Sequence, residues 1–123
     1  MEVDKPEVLA EVEAAFARYE TALISNDVET LDTLFRVDHR TIRYGINENL
    51  YGYAEISAFR AARPSQGLAR TLSRTVITTY GDDFATAMTL FDRPPGGAGR
   101  QSQTWVRFAD GWRIVAAHVS RMG

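Results

Sequence analysis

The sequence predicts a single α+β domain in which three N-terminal helices pack on a curved, mostly antiparallel sheet. Three observations lead to this class. Apolar residues recur every three or four positions through much of the first 62 residues, as in amphipathic helices. After Gly67 the chain changes to runs rich in Thr, Val and Ile, which favour strands. Helices that precede an antiparallel meander are typical of domains whose helices cover one face of a sheet.

The first helix is predicted to begin at Pro6, because proline suits the first helical turn, and to run to about Ser25. Asn26-Asp27 then interrupts the pattern, and a shorter second helix follows. The stretch YAEISAFRAAR predicts a third helix that Pro64 ends. The apolar stripe of the first helix consists of Val8, Leu9, Val12, Ala15, Phe16, Tyr19 and Leu23.

Strand patterns account for most of the remaining chain. HRTIRYG predicts a short strand, and the segment from Gly45 to Gly52 is expected to be a loop. ARTLSRTVITTY and DFATAMTLFDR predict two long strands joined at Gly81-Asp82, and PPGGAG is a flexible connection to a final hairpin. There is no internal repeat or second domain, so residues 1–123 form one domain.

The final hairpin, QSQTWVRFADGWRIVAAHVS, has Asp110-Gly111 as its predicted turn. If the two strands pair across that turn, the numbers of any two residues that face each other sum to 221. One face then carries Gln101, Gln103, Trp105, Ala116, His118 and Ser120. The other carries Thr104, Val106, Phe108, Val115, Ala117 and Val119. We expect the polar face to line a ligand cavity, because buried polar groups need partners. A bulge in QSQTWV would exchange Gln103 for Thr104.

The apolar face of this hairpin has no helix left to cover it. Exposed apolar patches usually mark an interface. The sequence therefore predicts a homodimer formed through the outer sheet face, and the alternative is that another layer of the same chain covers it. The residues expected at the interface are Val106, Phe108, Val115 and Val119.

Composition excludes several classes of protein. The net charge of -2, with both signs interspersed, argues against a nucleic-acid partner. The chain has no cysteine, and its two histidines, His39 and His118, lack a zinc-binding spacing, so we expect no metal and no cofactor. No apolar run approaches the ~20 residues of a membrane span. The acidic, helical N-terminus is not a signal peptide, and a cytoplasmic location is expected.

The candidate site residues follow from the cavity rather than from a familiar motif. GxSxG, HExxH and a glycine-rich phosphate loop are absent. His118 and Ser120 would lie ~7 Å apart, too far for a direct hydrogen bond in most rotamers. Tyr19 lies on the inner stripe of helix 1 and is a candidate ligand-binding residue. The alternative is a core tyrosine bonded to a backbone carbonyl.

Two arginines complete the candidate set. Arg43 on the short strand is a candidate carboxylate ligand, and the alternative is an exposed edge-strand arginine. Arg74 lies between Leu72 and Val76 on its strand, where a cation needs a ligand or an acid such as Glu55 or Glu48. The resulting cavity would suit a small, planar anion.

The order of elements and the ending GWRIVAAHVS resemble the NTF2-like superfamily, whose fold is a cone of helices on a curved sheet. More narrowly, the stretches NDVETLDTLF, TIRYGINENLYGYAEISAFRAAR and LSRTVITTYGDDFATA resemble the AtzH-like family, which includes oxalurate-catabolism proteins of the HpxZ type. The resemblance implies a dimer with one cavity per cone. It also implies action on a small ureido compound, with Tyr19 and Arg43 at the positions of the implicated tyrosine and arginine. Unlike ketosteroid isomerase, the chain shows no Asp on the interior face of the strand after helix 3.

Two functions remain open on this basis. The first is an amidohydrolase for a carboxylated urea of the 1,3-dicarboxyurea type, with Tyr19 and Arg43 catalytic and with Arg74, Gln103, His118 and Ser120 binding substrate. The second is a non-catalytic module that binds a ureido acid such as oxalurate, or an accessory subunit of an amidase system. Neither needs a metal.

Overall fold

A computed structural model describes residues 1–123 and shows three helices on one six-stranded sheet. The helices are α1, Pro6–Ile24; α2, Val28–Leu34; and α3, Tyr53–Ala62. The side chain of Asp27 accepts a hydrogen bond from the backbone of Thr30, which satisfies a free donor in the first turn of α2. All three predicted helices are therefore confirmed.

The strands are β1, Ile42–Tyr44; β2, Asn49–Tyr51; β3, Thr71–Tyr80; β4, Phe84–Asp92; β5, Ala98–Phe108; and β6, Gly111–Arg121. Their order in the sheet is β2-β1-β6-β5-β4-β3, with β1 parallel to β6 and every other pair antiparallel. The expected loop at residues 45–52 is wrong in its second half, because β2 there forms a hairpin with β1. β2 is the edge strand, so β1 lies inside the sheet.

The core lies between the helices and the concave face of the sheet. Its buried helix residues come from all three helices, and its sheet residues come mainly from β4, β5 and β6. Trp105 and Ile114 face each other across β5 and β6 and are fully buried. The predicted α+β architecture is confirmed.

The final hairpin differs from its predicted register because its turn lies one residue earlier and because β6 contains a bulge. Phe108 pairs with Gly111, so the two-residue turn is Ala109-Asp110. Trp105 pairs with Ile114 and Thr104 with Ala116, which leaves Val115 as the extra residue. A bulge inverts the facing of every later residue on its own strand.

This inversion follows the apolar pattern of β6. Trp112 and Ile114 have even numbers, whereas Ala117 and Val119 have odd numbers, and all four are buried. A regular strand could bury only two of them on the core face. On β5, which stays regular, the inward residues remain Gln101, Gln103 and Trp105.

The bulge changes which residues lie on the outer sheet face. Val119, expected at the dimer surface, is instead buried on the inner face, and so is Ala117. Val106, Phe108 and Val115 stay partly exposed. The guanidinium of Arg36 covers the Phe108 ring at 3.9 Å from its centroid.

No helix of the chain is long and apolar enough to cross a membrane.

Candidate functional site

Three of the predicted substrate-binding residues lie together, but outside the cone. A groove of about 460 Å³ on the outer sheet face is lined in part by Arg74, His118 and Ser120. His118 pairs with Ser102, the outward neighbour of Gln103, so the prediction that His118 and Ser120 share the interior with Gln103 is wrong. The cause is the bulge in β6.

Arg74 also lies outside the cone, because β3 contains an irregularity of its own. The pairing of β3 with β4 shifts between Ser73 and Val76, where two residues of β3 oppose Thr89 alone. Arg74 adopts a left-handed backbone conformation there, with φ 51°, and its side chain is exposed. The prediction that Arg74 helps to line the interior cavity is therefore wrong.

The interior holds a different polar set, which we call the interior cluster: Tyr19, Glu20, Arg43, Glu48, Arg63, Arg70, Arg93, Gln101 and Gln103. Tyr19 lies on the buried face of α1, is 3% exposed, and packs with its ring 6.2 Å from that of Phe35. Its hydroxyl forms no hydrogen bond with a backbone carbonyl, so the alternative of a carbonyl-bound core tyrosine is not what the structure shows. The hydroxyl is free for a ligand.

Arg43 projects inward from β1, and its side chain is 11% exposed. It pairs across strands with Ala117, which in turn pairs with Gln103. Glu48 contacts Arg43 at 3.5 Å, a long ion pair that leaves most donors of the guanidinium available. Arg43 is thus not the exposed edge-strand arginine of the alternative.

Gln101 and Gln103 both turn their amide nitrogens toward the interior. The oxygen of Gln103 accepts a hydrogen bond of 3.0 Å from the indole of Trp105. The oxygen of Gln101 accepts one of 3.0 Å from Arg70, which Glu20 holds in place with two further bonds. Because both oxygens are engaged, the network assigns the free side of each amide as nitrogen. Both nitrogens are buried without a partner.

Arg63 and Arg93 add further unpartnered donors. Arg63 ends α3, and its Nε and Nη2 are buried with no partner, as is Nε of Arg93, just after β4. Burial lowers the pKa of Arg63, and the charge of Arg43 lowers that pKa further. Burial and the charge of Arg70 likewise lower the pKa of Arg93. These charges therefore lie near enough to one another to disfavour each other's protonated form.

The ring of Phe91 packs against two of these arginines. The guanidinium carbons of Arg70 and Arg93 lie 4.9 and 5.5 Å from the centre of its ring. The ring lies against the backbone of Gly99, where an added Cβ would overlap it. Beside Arg93 a concavity of about 60 Å³ reaches the surface between Ile46 and the β4–β5 loop.

The interior cluster can bind an anion but is not built for a metal. Five buried nitrogens await an acceptor: Nε and Nη2 of Arg63, Nε of Arg93, and Nε2 of Gln101 and Gln103. No group of three or more His, Cys, Asp or Glu side chains is arranged to hold a metal ion. Donors without acceptors call for a ligand rich in carboxylate or carbonyl oxygens.

Several cluster members were missed by the sequence reasoning. Arg63, Arg70 and Arg93 lie at the ends of elements, where periodicity says little about direction. Glu20 neighbours Tyr19 on α1 and would have been taken as a surface residue. One signal for these partners was available. Gln101 and Gln103 share a predicted strand face with the apolar Trp105, and amides that face a core require hydrogen-bonding partners.

Comparisons with known proteins agree with this fold. A family model described as AtzH-like matches residues 1–123. A crystal structure of a protein of unknown function from the DUF3225 family of Pectobacterium atrosepticum is 61% identical, with a TM-score of 0.95 over 98% of this chain and 95% of that one. A cystatin-like fold protein from Burkholderia xenovorans is 47% identical, with a TM-score of 0.93 over 100% and 99% of the two chains.

A more distant structure supplies the name of the fold. An NTF2-like superfamily protein from Salmonella enterica serovar Typhimurium is 26% identical, with a TM-score of 0.76 over 95% of this chain and 92% of that one. No curated protein matches the chain. The predicted NTF2-like fold is confirmed.

Proposed function

Because the chain belongs to the AtzH-like family, we propose that it is a hydrolase that removes a carboxyl group from a small carboxylated urea of the 1,3-dicarboxyurea type. In this reaction the bond between a terminal carboxyl carbon and its nitrogen breaks. Water supplies a hydroxyl to that carbon and a proton to the nitrogen. The dicarboxyurea dianion and one water thus give allophanate and bicarbonate, each with one negative charge.

The single observation that carries this proposal is that the buried polar atoms of the interior cluster without a partner are all donors. They are five nitrogens, which belong to Arg63, Arg93, Gln101 and Gln103. Leaving a buried donor unsatisfied costs roughly 1–3 kcal/mol, and more for a charged group. A planar ligand with several carboxylate and carbonyl oxygens would satisfy these donors at once.

Arg43 is the residue that we assign to the scissile carboxyl group. It lies on a strand inside the sheet, so its position is fixed by neighbours on both sides. Its guanidinium would stabilise the negative charge that develops as water adds to the carboxyl carbon. The weak contact with Glu48 keeps this arginine oriented without occupying it.

Tyr19 is the group that we assign to proton transfer. Its hydroxyl is buried beside the arginines and is not engaged by the protein, so it can donate to the departing nitrogen. The amide of Gln103 would hold a carbonyl oxygen of the substrate, since its nitrogen is already turned inward.

Turnover of 1,3-dicarboxyurea by the purified protein tests this proposal. Formation of allophanate and bicarbonate is measured for the wild type, Tyr19→Phe and Arg43→Ala, with melting temperatures to show that each variant folds. We expect Arg43→Ala to lower kcat/KM by about 100-fold or more and Tyr19→Phe by about 100-fold. Wild-type turnover by the double variant would reject both assignments.

A second function, a binding module for a ureido acid, is favoured by one specific feature. Both acids of the interior cluster are engaged by arginine, Glu20 with Arg70 and Glu48 with Arg43. Neither is a free base that could activate water. The same donors would then hold oxalurate or a related acid without reaction.

Ligand binding and turnover together separate the two functions. Malonate, oxalurate and biuret are compared in a thermal-shift assay, where a carboxylate ligand raises the melting temperature in either case. Oxalurate binding without turnover of dicarboxyurea supports the module. Turnover that Tyr19→Phe removes supports the hydrolase.

We also propose that two copies of the chain associate through the outer sheet face. Besides Val106 and Val115, this face carries the exposed side chains of Val76, Phe84 and Met88. Exposed apolar patches of this kind usually mark an interface. Val119 is no longer part of it, since the bulge turns that residue inward.

A further inference from the structure

We propose that Arg63 forms a second carboxylate-binding subsite of the interior cluster, which makes the site selective for ligands with two anionic ends. The inference rests on the proposed function, because it concerns the same site. It adds a specificity-determining residue to Tyr19 and Arg43.

The first support is the edge of the guanidinium that Arg63 leaves open. Its buried, unpartnered atoms are Nε and Nη2, which form one side of the planar group. Elsewhere in the chain this same edge binds carboxylates with two bonds. Arg70 uses it for Glu20, at 2.8 and 2.7 Å, and Arg40 uses it for Asp38, at 2.9 and 2.8 Å. Such a fork matches the two oxygens of a carboxylate.

The second support is the balance of charge in the cluster. Four cations, Arg43, Arg63, Arg70 and Arg93, face two anions, Glu20 and Glu48, so the surplus is four minus two, or two positive charges. Arg60 does not add to the surplus, since Asp32 pairs with it at 2.7 Å. A ligand with two carboxylates would neutralise this surplus.

The third support is the separate origin of the two binding arginines. Arg43 lies on β1, whereas Arg63 lies at the end of α3, and neither shares an acid with the other. Arg43 has Glu48 nearby, but no carboxylate lies within ion-pair distance of Arg63. Arg63 is therefore the arginine that a second anionic end would engage, while Arg43 holds the reacting end.

Paired probes test the subsite. Binding of malonate, a dicarboxylate, and acetate, a monocarboxylate, is measured by calorimetry at constant ionic strength for the wild type, Arg63→Gln and Arg63→Lys. We expect Arg63→Gln to weaken malonate binding by about 10- to 100-fold, the range for a charged bidentate contact. Acetate binding should change by less than about twofold. Arg63→Lys, which keeps the charge but loses the fork, should fall between.

Two controls make the outcome decisive. Arg18→Gln, on the exposed side of α1, should leave both affinities unchanged. Melting temperatures without ligand show that the variants fold, and Arg63→Gln should be at least as stable as the wild type because an unpaired buried cation is removed. An unchanged ratio of malonate to acetate affinity in Arg63→Gln would overturn the subsite.

Failure of the subsite and failure of the proposed function give different results. If the wild type hydrolyses dicarboxyurea but Arg63→Gln keeps its preference for malonate, the subsite is rejected and the hydrolase stands. If no turnover occurs but Arg63→Gln loses malonate selectively, the subsite stands without the hydrolase.

Discussion

The direction of two side-chain amides decides what the interior cluster can bind. Trp105 donates to the oxygen of Gln103, and Arg70 donates to the oxygen of Gln101. Both amides are thereby fixed with their nitrogens inward, although a free glutamine could present either end. Trp105 and the Glu20–Arg70 pair are positioning groups, since they act on a ligand only through the two glutamines.

Substitution of Gln103 tests this orientation, with His118 as the matched control. Gln103→Leu removes an inward donor, so we expect malonate affinity to fall by about 5- to 10-fold, the worth of one neutral hydrogen bond. His118→Gln changes the outer face and should leave affinity within about twofold. Calorimetry at a temperature where both variants are folded gives the comparison. Equal losses, or a larger loss for His118→Gln, would contradict the interior placement of Gln103.

At the scale of elements, the β6 bulge decides which polar residues the sequence placed on the correct face of the sheet. Tyr19 and Gln103 were placed correctly because α1 and β5 keep a regular period along their whole length. His118 and Ser120 were misplaced because one extra residue, Val115, inverts the rest of β6. The available sign of the bulge was that the core-facing residues of β6 have even numbers up to Ile114 and odd numbers from Ala117. Val115 lies where β6 changes its neighbour, from the bridge at Phe35 to β1.

Lysine substitutions at two adjacent alanines test the bulge directly. A regular hairpin with the predicted register would place Ala116 inward and Ala117 outward, whereas the bulge reverses them. Ala117→Lys would bury a cation beside Arg43, and we expect a loss of several kcal/mol in the free energy of unfolding. Within a single chain, Ala116→Lys should cost less than about 1 kcal/mol, as for most surface changes, so both variants are compared in the Met88→Lys background, where the chain is expected to be monomeric. Chemical denaturation measures both, and the opposite ranking would reject the bulge.

At the scale of the whole molecule, the fold brings together arginines that lie far apart in sequence. Arg43 lies on β1, Arg63 follows α3, Arg70 directly precedes β3 and Arg93 directly follows β4. No local spacing encodes this meeting, since it depends on how the helices close over the concave face. The class of fold could be predicted from periodicity, but the set of unpartnered donors in the interior could not.

The outer sheet face gives the last prediction, because an exposed apolar surface on a small domain needs a partner. Met88 lies on this face in β4, between Val76 and Ser102, and is 49% exposed. Met88→Lys would place a charge within the proposed interface, where desolvation is costly. We expect the wild type to be a dimer by light scattering and Met88→Lys to be a monomer.

The matched control is Ile24→Lys, at the end of α1, which is 42% exposed but lies away from the sheet. This variant should remain dimeric. Malonate affinity should be retained by the Met88→Lys monomer, since all members of the interior cluster come from one chain. A wild type that is monomeric, or a Met88→Lys variant that stays dimeric while Ile24→Lys dissociates, would show that the outer face is not the interface.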